Sequence, residues 1–335
     1  MRKLGLFVAL GAFALSALAQ SSTGVAGPVT GFVFDQTSGM IRAMLGIPGA
    51  AYLGYAVGTG MSAVAVAPDG SAALGVRRTG KLVLYTGLRD SRARTQNLAG
   101  AIQGVNRLAW APDAGSAAVY SAGNSQAQIL TGLQKAPAAG APIDLSNLPG
   151  PVTALLCDGQ NAILAVSGDA GGIFRASGSS APERIAAATS PSAMALAGGS
   201  LYFADNQSQQ VWQIKSYATT PAALIFAADS GLNVPVGVQV SADGQRLLVA
   251  NAGNRKLAIY DLASRTVTQS VSLAFTPTRL DRFGDASVFL MNSQGSGPLY
   301  VVRDGGAGQA AVFFVPSPVQ QHPHIPVRPV VAGSD

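Results

Sequence analysis

Between Ser62 and Pro316 the chain repeats one pattern six times: a short apolar run, a tight turn rich in Asp and Gly, a second apolar run ending on a polar residue, then a third apolar run. A unit this short buries its faces only against further copies of itself, so the repeat decides the architecture before the chemistry of any residue is considered. The turns are Asp69-Gly70, Asp113-Ala114-Gly115, Asp158-Gly159, Gly198-Gly199, Asp243-Gly244 and Gly284-Asp285. Each joins two apolar runs with residues that tolerate positive φ, as a β-hairpin connection requires. Further along, each second run ends at Arg77, Ser121, Ser167, Asp205, Asn251 or Asn292, so two columns stay in step through all six copies.

The runs are short, rich in Val, Leu, Ile and Tyr, and flanked by Gly, Asn, Pro or Ser, which reads as strand; no window carries a helical period. A fourth run follows in several copies, as in Thr266 to Leu273 and Ala310 to Val315. Units of roughly 40 to 46 residues with four antiparallel strands have the size of β-propeller blades. A ring of blades also removes a difficulty of size, because it distributes its core between neighbours where a single core would be too large. The expected fold is all-β, a propeller of four-stranded blades over residues 20–316. Gly31 to Leu45 forms an additional half-copy that aligns with the last two strands of a blade. Seven blades are expected, this hairpin joining the C-terminal strands to close the ring; the alternative is six, with the hairpin only decorating it.

Two stretches carry a family resemblance. Leu201 to Ile214, LYFADNQSQQVWQI, resembles an NHL repeat, and Ser241 to Val267, SADGQRLLVANAGNRKLAIYDLASRTV, resembles a YVTN-type repeat with its turn, second strand and Asn/Gly-rich corner in order. Both are propeller families. The resemblance implies blade geometry and leaves the chemistry open.

The first residues point to export. Arg2 and Lys3 precede an apolar run from Leu4 to Leu18, and Ala17-Leu18-Ala19 supplies a small-x-small cleavage pattern, so residues 1–19 read as a signal peptide and the mature chain begins at Gln20, periplasmic or extracellular. No second segment is long and apolar enough to span a membrane. Cys157 is the only cysteine and forms no disulfide within the chain. At the end of an apolar run it reads as a buried thiol, not a nucleophile.

The formal charge of +6 falls to +4 without Arg2 and Lys3, too mild an excess to imply nucleic-acid binding. One local concentration stands out: Arg77, Arg78, Lys81, Arg89, Arg92 and Arg94, with Asp90 the only acid among them. It reads either as a solvated blade edge that discourages aggregation or as an anion-recognising patch. Catalytic constellations are scarce. The two histidines, His322 and His324, lie in the tail, and Glu183 is the only glutamate, so neither a body-encoded Ser/His/Asp triad nor a histidine metal cage is available. The turn aspartates read as turn formers. The polar column, with Asp205, Asn251 and Asn292 as its strongest ligands, either caps strand corners or rings one channel mouth around a hard cation such as calcium. From Pro316 onward five prolines in twenty residues suggest an extended, disordered tail over residues 317–335.

The function expected from these residues is non-catalytic binding or scaffolding, directed at a protein or a cell-envelope polysaccharide, with no cofactor. The alternative is an enzyme resembling the propeller lactonases or lyases, with Asp205 and Asn251 at a cation site.

Overall fold

The computed structural model describes residues 28–90, 93–295, 297–306 and 308–317, without the side chains of 285–287. The expected signal peptide, Arg92 and nearly all of the tail lie outside the described residues. The chain forms seven antiparallel sheets arranged as a seven-bladed β-propeller. Blade 1 holds β1 (Val29–Asp35), β2 (Met40–Leu45) and β3 (Tyr52–Gly58), and blade 2 holds β4 (Met61–Val66), β5 (Ala72–Arg77), β6 (Leu82–Thr86) and β7 (Arg94–Asn97). Blade 3 is β8 (Arg107–Trp110), β9 (Ala117–Ser121), β10 (Gln126–Thr131) and β11 (Ala138–Asp144). Blade 4 is β12 (Val152–Cys157), β13 (Ala162–Val166), β14 (Gly172–Ala176) and β15 (Glu183–Ala187). Blade 5 is β16 (Pro191–Ala197), β17 (Ser200–Asp205), β18 (Gln210–Lys215) and β19 (Ala222–Ala227). Blade 6 is β20 (Pro235–Val240), β21 (Arg246–Asn251), β22 (Lys256–Asp261) and β23 (Val267–Ser272). Blade 7 is β24 (Asp281–Phe283), β25 (Asp285–Leu290), β26 (Leu299–Arg303) and β27 (Ala311–Val315).

Burial grades outward through each blade. The second and third strands are covered on both faces, as in β5, β9 and β13, which explains their unbroken apolar sequences. The fourth strands form the rim, and β7 and β23 are largely exposed. The core is correspondingly divided into seven apolar clusters, each between adjacent blades. Leu74, Val76 and Leu84 of blade 2 meet Trp110, Val119 and Leu130 of blade 3, and Phe32, Ile41 and Ala43 of blade 1 meet Met61, Val83 and Tyr85 of blade 2. Each fully buried large side chain contributes about 1.5–3 kcal/mol to holding its pair of blades together.

The turn aspartates behave as the sequence implies. Asp69, Asp113, Asp158 and Asp243 each accept a hydrogen bond from the backbone N–H two residues on, at 2.9–3.0 Å. Gly70 and Gly244 follow with φ of 69°, where a side chain is disfavoured. All these turns lie at one end of the ring, the turn end. The second strands finish at the other, the corner end.

The half-copy is resolved differently from its alignment. Gly31 to Leu45 forms the second and third strands of blade 1, because β1 and β2 are buried like other middle strands and Asp35 occupies the corner position. The next strand is β3, supplied by Tyr52–Gly58 and not by the C-terminal runs, which remain in blade 7. Among the described residues blade 1 is therefore three-stranded, whereas the other six blades are four-stranded.

Candidate functional site

The corner end carries the polar column. Its members are held there by the second-to-third strand hairpins, and their side chains turn toward their own backbone. Asp205 accepts N–H groups from Ser190 and Gln207 at 3.0 Å and from Thr189 at 3.3 Å. Asn251, fully buried, accepts the Asn233 N–H at 3.1 Å and donates to the Val249 carbonyl at 3.2 Å. Asn292 accepts the Tyr300 N–H at 2.7 Å and donates to the Pro298 carbonyl at 2.9 Å. In blades 5, 6 and 7 the recurring polar residue thus satisfies strand-end donors and acceptors that would otherwise be buried unpaired, whereas Ser121 of blade 3 is buried with no hydrogen-bond partner for its hydroxyl among the described residues.

A seventh member escaped the repeat reading. Asp35, 4% exposed, accepts the Thr37 and Ser38 N–H groups and the Ser38 hydroxyl, and pairs with Arg42 Nε at 3.1 Å. Burial alone would raise its pKa. The Ser38 hydrogen bonds and the Arg42 charge outweigh that effect and hold the carboxyl below its usual range.

The basic cluster divides in space. Arg77, Arg78 and Lys81 surround the β5–β6 turn at the corner end, where Arg77 N–H bonds to the Lys81 carbonyl at 2.8 Å. Arg94 begins β7 opposite Thr86, and Arg89 lies in the turn before it, both at the turn end. The intervening β6 has five residues, roughly 17 Å of strand at about 3.3 Å per residue. Nearness in sequence therefore produces two basic groups. Arg78, Lys81, Arg89 and Arg94 are exposed and Arg77 is half-buried, and none of the five forms an ion pair among the described residues.

A central channel of about 870 Å³ runs between the inner strands. Its wall mixes apolar groups such as Leu108 and Leu155 with Asn106, Gln239, Asp281 and Asn292; Asp205 and Asn251 do not line it. Asp281 is engaged in an ion pair with Arg279. Arg282 donates to the Val240 carbonyl at 2.8 Å and sits over the Phe289 ring at 5.7 Å. Adjacent inner strands are tied by side chains across the channel wall: Thr153 donates to the Pro191 carbonyl and Ser192 to the Pro235 carbonyl, both at 2.6 Å. Among the described residues no three His, Cys, Asp or Glu side chains gather as a metal site. Glu183 pairs with Arg175 at 2.5 Å on the third and fourth strands of blade 4, away from the channel. Cys157 is buried, and burial pushes its thiol up to about 11, which leaves it protonated and unreactive at neutral pH.

Neither a family model nor a curated protein matches this sequence. Solved structures do resemble it. A protein from Lactobacillus plantarum aligns with a TM-score of 0.60 at 13% identity, covering 86% of this chain and 95% of that one. AztD from Citrobacter koseri aligns with a TM-score of 0.55 at 12% identity over 87% and 83% of the two chains. Hsv2 from Kluyveromyces lactis gives 0.53 at 12% identity over 72% and 73%. At such identities the likeness establishes the propeller fold and nothing of its chemistry. No helix among the described residues is long and apolar enough to cross a membrane.

Proposed function

We propose that this propeller is an exported, non-catalytic binding module that recognises an acidic component of the cell envelope through its corner end. The supporting observation is the contrast within that end. Asp205, Asn251 and Asn292 are occupied by their own backbone, whereas Arg77, Arg78 and Lys81 present cationic groups around one turn without an ion pair among the described residues. A rigid ring presenting three free cations suits recognition of carboxylates or phosphates spaced along a glycan. The lactonase-like or lyase-like alternative draws no support from this geometry, because the carboxylate and amides it requires face their own turns.

Immobilised polygalacturonate, a polymer of carboxylates, provides the probe. The chain carrying Arg77→Gln, Arg78→Gln and Lys81→Gln is expected to lose at least tenfold in affinity and most of its salt dependence, since exposed charge attraction is screened over about 8 Å at physiological ionic strength. The chain carrying Arg89→Gln and Arg94→Gln retains binding. Equal binding by the triple variant and the unaltered chain overturns the assignment, as does failure of the unaltered chain to bind at low salt.

A further inference from the structure

The outer strand of each blade forms the rim of the ring, where an open edge is a template for pairing with another chain unless something blocks it. β3, β11, β15, β19 and β23 each carry a register shift against the third strand of their own blade, which bends the outer edge away. β7 pairs regularly, but it reads RTQN and all four of its residues are polar and exposed. β27 has neither protection. Its five residues, AVFFV, pair without interruption from Leu299 facing Val315 to Arg303 facing Ala311, and none of them is charged or proline. Phe314 within it is 63% exposed, the most of any large apolar side chain among the described residues.

The backbone of β27 has a defined outward set of hydrogen-bonding groups. The Tyr300 carbonyl accepts the Met291 N–H at 2.9 Å, so Tyr300 directs its backbone toward β25. Alternation along β26 then turns Leu299, Val301 and Arg303 toward β27, where they face Val315, Phe313 and Ala311. Val312 and Phe314 are left with N–H and C=O pointing off the edge of the sheet, and no strand pairs with them there among the described residues. Pro316 follows directly, and its missing N–H ends the ladder.

We propose that β27 is the interface between two copies of this chain, pairing antiparallel with the same strand of the second copy across a two-fold axis. An antiparallel pair is self-complementary about such an axis, so one uncharged strand supplies both halves of the contact. With Phe313 at the centre all five residues overlap. Val312 then faces Phe314 of the second copy, each such pair exchanges both of its N–H···O=C bonds, and the exposed Phe314 ring is covered by the opposing Val312. A strand from an unrelated protein would need pockets for its alternate side chains. The groove beside β27, lined by Pro48, Gly49, Phe313 and Val315, holds about 10 Å³, room for about one water. The second copy needs no pocket, because its Val312 and Phe314 cover their counterparts. The contact lies on the rim, apart from Arg77, Arg78 and Lys81, and is independent of anion recognition at the corner end.

Sedimentation velocity of the full chain over a roughly hundredfold range of concentration, at physiological ionic strength, tests the pairing. The unaltered chain should rise toward twice the single-chain mass. Phe314→Lys, at an exposed position where folding tolerates it, should weaken association at least tenfold, and Val312→Lys with Phe314→Lys should abolish it by setting like charges opposite one another. Val312→Lys with Phe314→Glu sets opposite charges across the axis in this register and should restore it. Amide exchange of Val312 and Phe314 should slow at least tenfold from the dilute to the concentrated chain, whereas that of the equally exposed β7 should not change. A single-chain mass at every concentration overturns the proposal, as does a dimer that survives the double lysine substitution. A charge-swapped variant that stays single overturns the register. Should the double variants fail to fold, Phe314→Lys and the amide exchange of the unaltered chain decide.

Discussion

Blade 7 meets blade 6 on one side and blade 1 on the other, and the two junctions are built differently. Toward blade 6 the backbones themselves touch: a Cβ on Gly237 would lie 2.4 Å from Leu280 Cβ, 2.6 Å from Leu280 N and 3.0 Å from the Arg279 carbonyl carbon. Toward blade 1 a Cβ on Gly31 would meet the Phe283 ring at 2.5–2.9 Å, although at the neighbouring turn main chain also comes close, where a Cβ on Gly284 would meet the Thr30 carbonyl. The apolar clusters repeat this division. Leu248, Ile259, Leu280 and Phe289 seal the first junction, while Phe283 packs with Val33 and Met44 at the second. At Gly237 a side chain is excluded by the facing backbone and the Leu280 Cβ, whereas at Gly31 it is excluded by an aromatic ring that can move.

The largest test of this difference is Gly237→Ala. Neither the Leu280 backbone nor β24, which begins directly after it, can retreat without disturbing blade 7, so the added methyl should cost about 2–3 kcal/mol in urea unfolding, as overpacking of a rigid core does. A loss below about 1 kcal/mol would show that the two backbones slide apart readily, and the contrast between the junctions would fail.

Gly31→Ala should cost less, about 1 kcal/mol, because the Phe283 ring can tilt aside. Phe283→Leu in the same chain sharpens the comparison: removing the ring should recover most of the Gly31→Ala penalty, measured as a coupling energy in a double-mutant cycle. Additive effects of the two substitutions would place the obstruction in the backbone and erase the distinction.

The period, the hairpin turns and the corner column were legible because each is imposed locally. Positive φ demands Gly, and buried strand ends demand a short polar side chain. What lay outside the repeats was less visible. β3 follows a Pro/Gly segment, exposes Tyr52 and Tyr55 at 50% and 53%, and joins β4 through only Thr59 and Gly60, without the Asp/Gly hairpin turn that marks the repeats. The half-copy was assigned to the wrong strand pair for a physical reason. Asp35 with Ser38 at a second-to-third strand corner makes the same local hydrogen bonds as Asp261 with Ser264 at a third-to-fourth turn. The two differ in burial, which depends on neighbouring blades and leaves no mark on four residues of sequence. The basic cluster misled by the same route. Arg77 and Arg94 are seventeen positions apart in sequence, but a hairpin strand carries the chain from one end of the ring to the other between them.

The smallest expected effect separates blades 1 and 6 at their equivalent corners, where Asp35 and Asn251 do the same structural work with different charge. Asn251 does not titrate. Asp35 does, and its folded pKa lies below the value near 3.9 of an unfolded aspartate because its hydrogen bonds from Ser38 and its Arg42 partner outweigh the cost of burial. A group with a depressed folded pKa contributes its stability fully above the unfolded pKa and loses it as pH falls through the folded value. Asp35→Asn keeps an acceptor for the Thr37 and Ser38 N–H groups but gives up the charge facing Arg42, so it should cost about 0.5–1 kcal/mol at pH 7. The difference between the two chains should then shrink steadily below about pH 4, as the aspartate in the unaltered chain takes up its proton. Asp243 and other carboxylates with lowered pKa make the whole protein acid-sensitive, but they are common to both chains and cancel in the difference. A gap that stays constant from pH 7 to pH 3 would mean that the Arg42 pairing contributes nothing, and that the corner of blade 1 is held, like that of blade 6, by neutral hydrogen bonds alone.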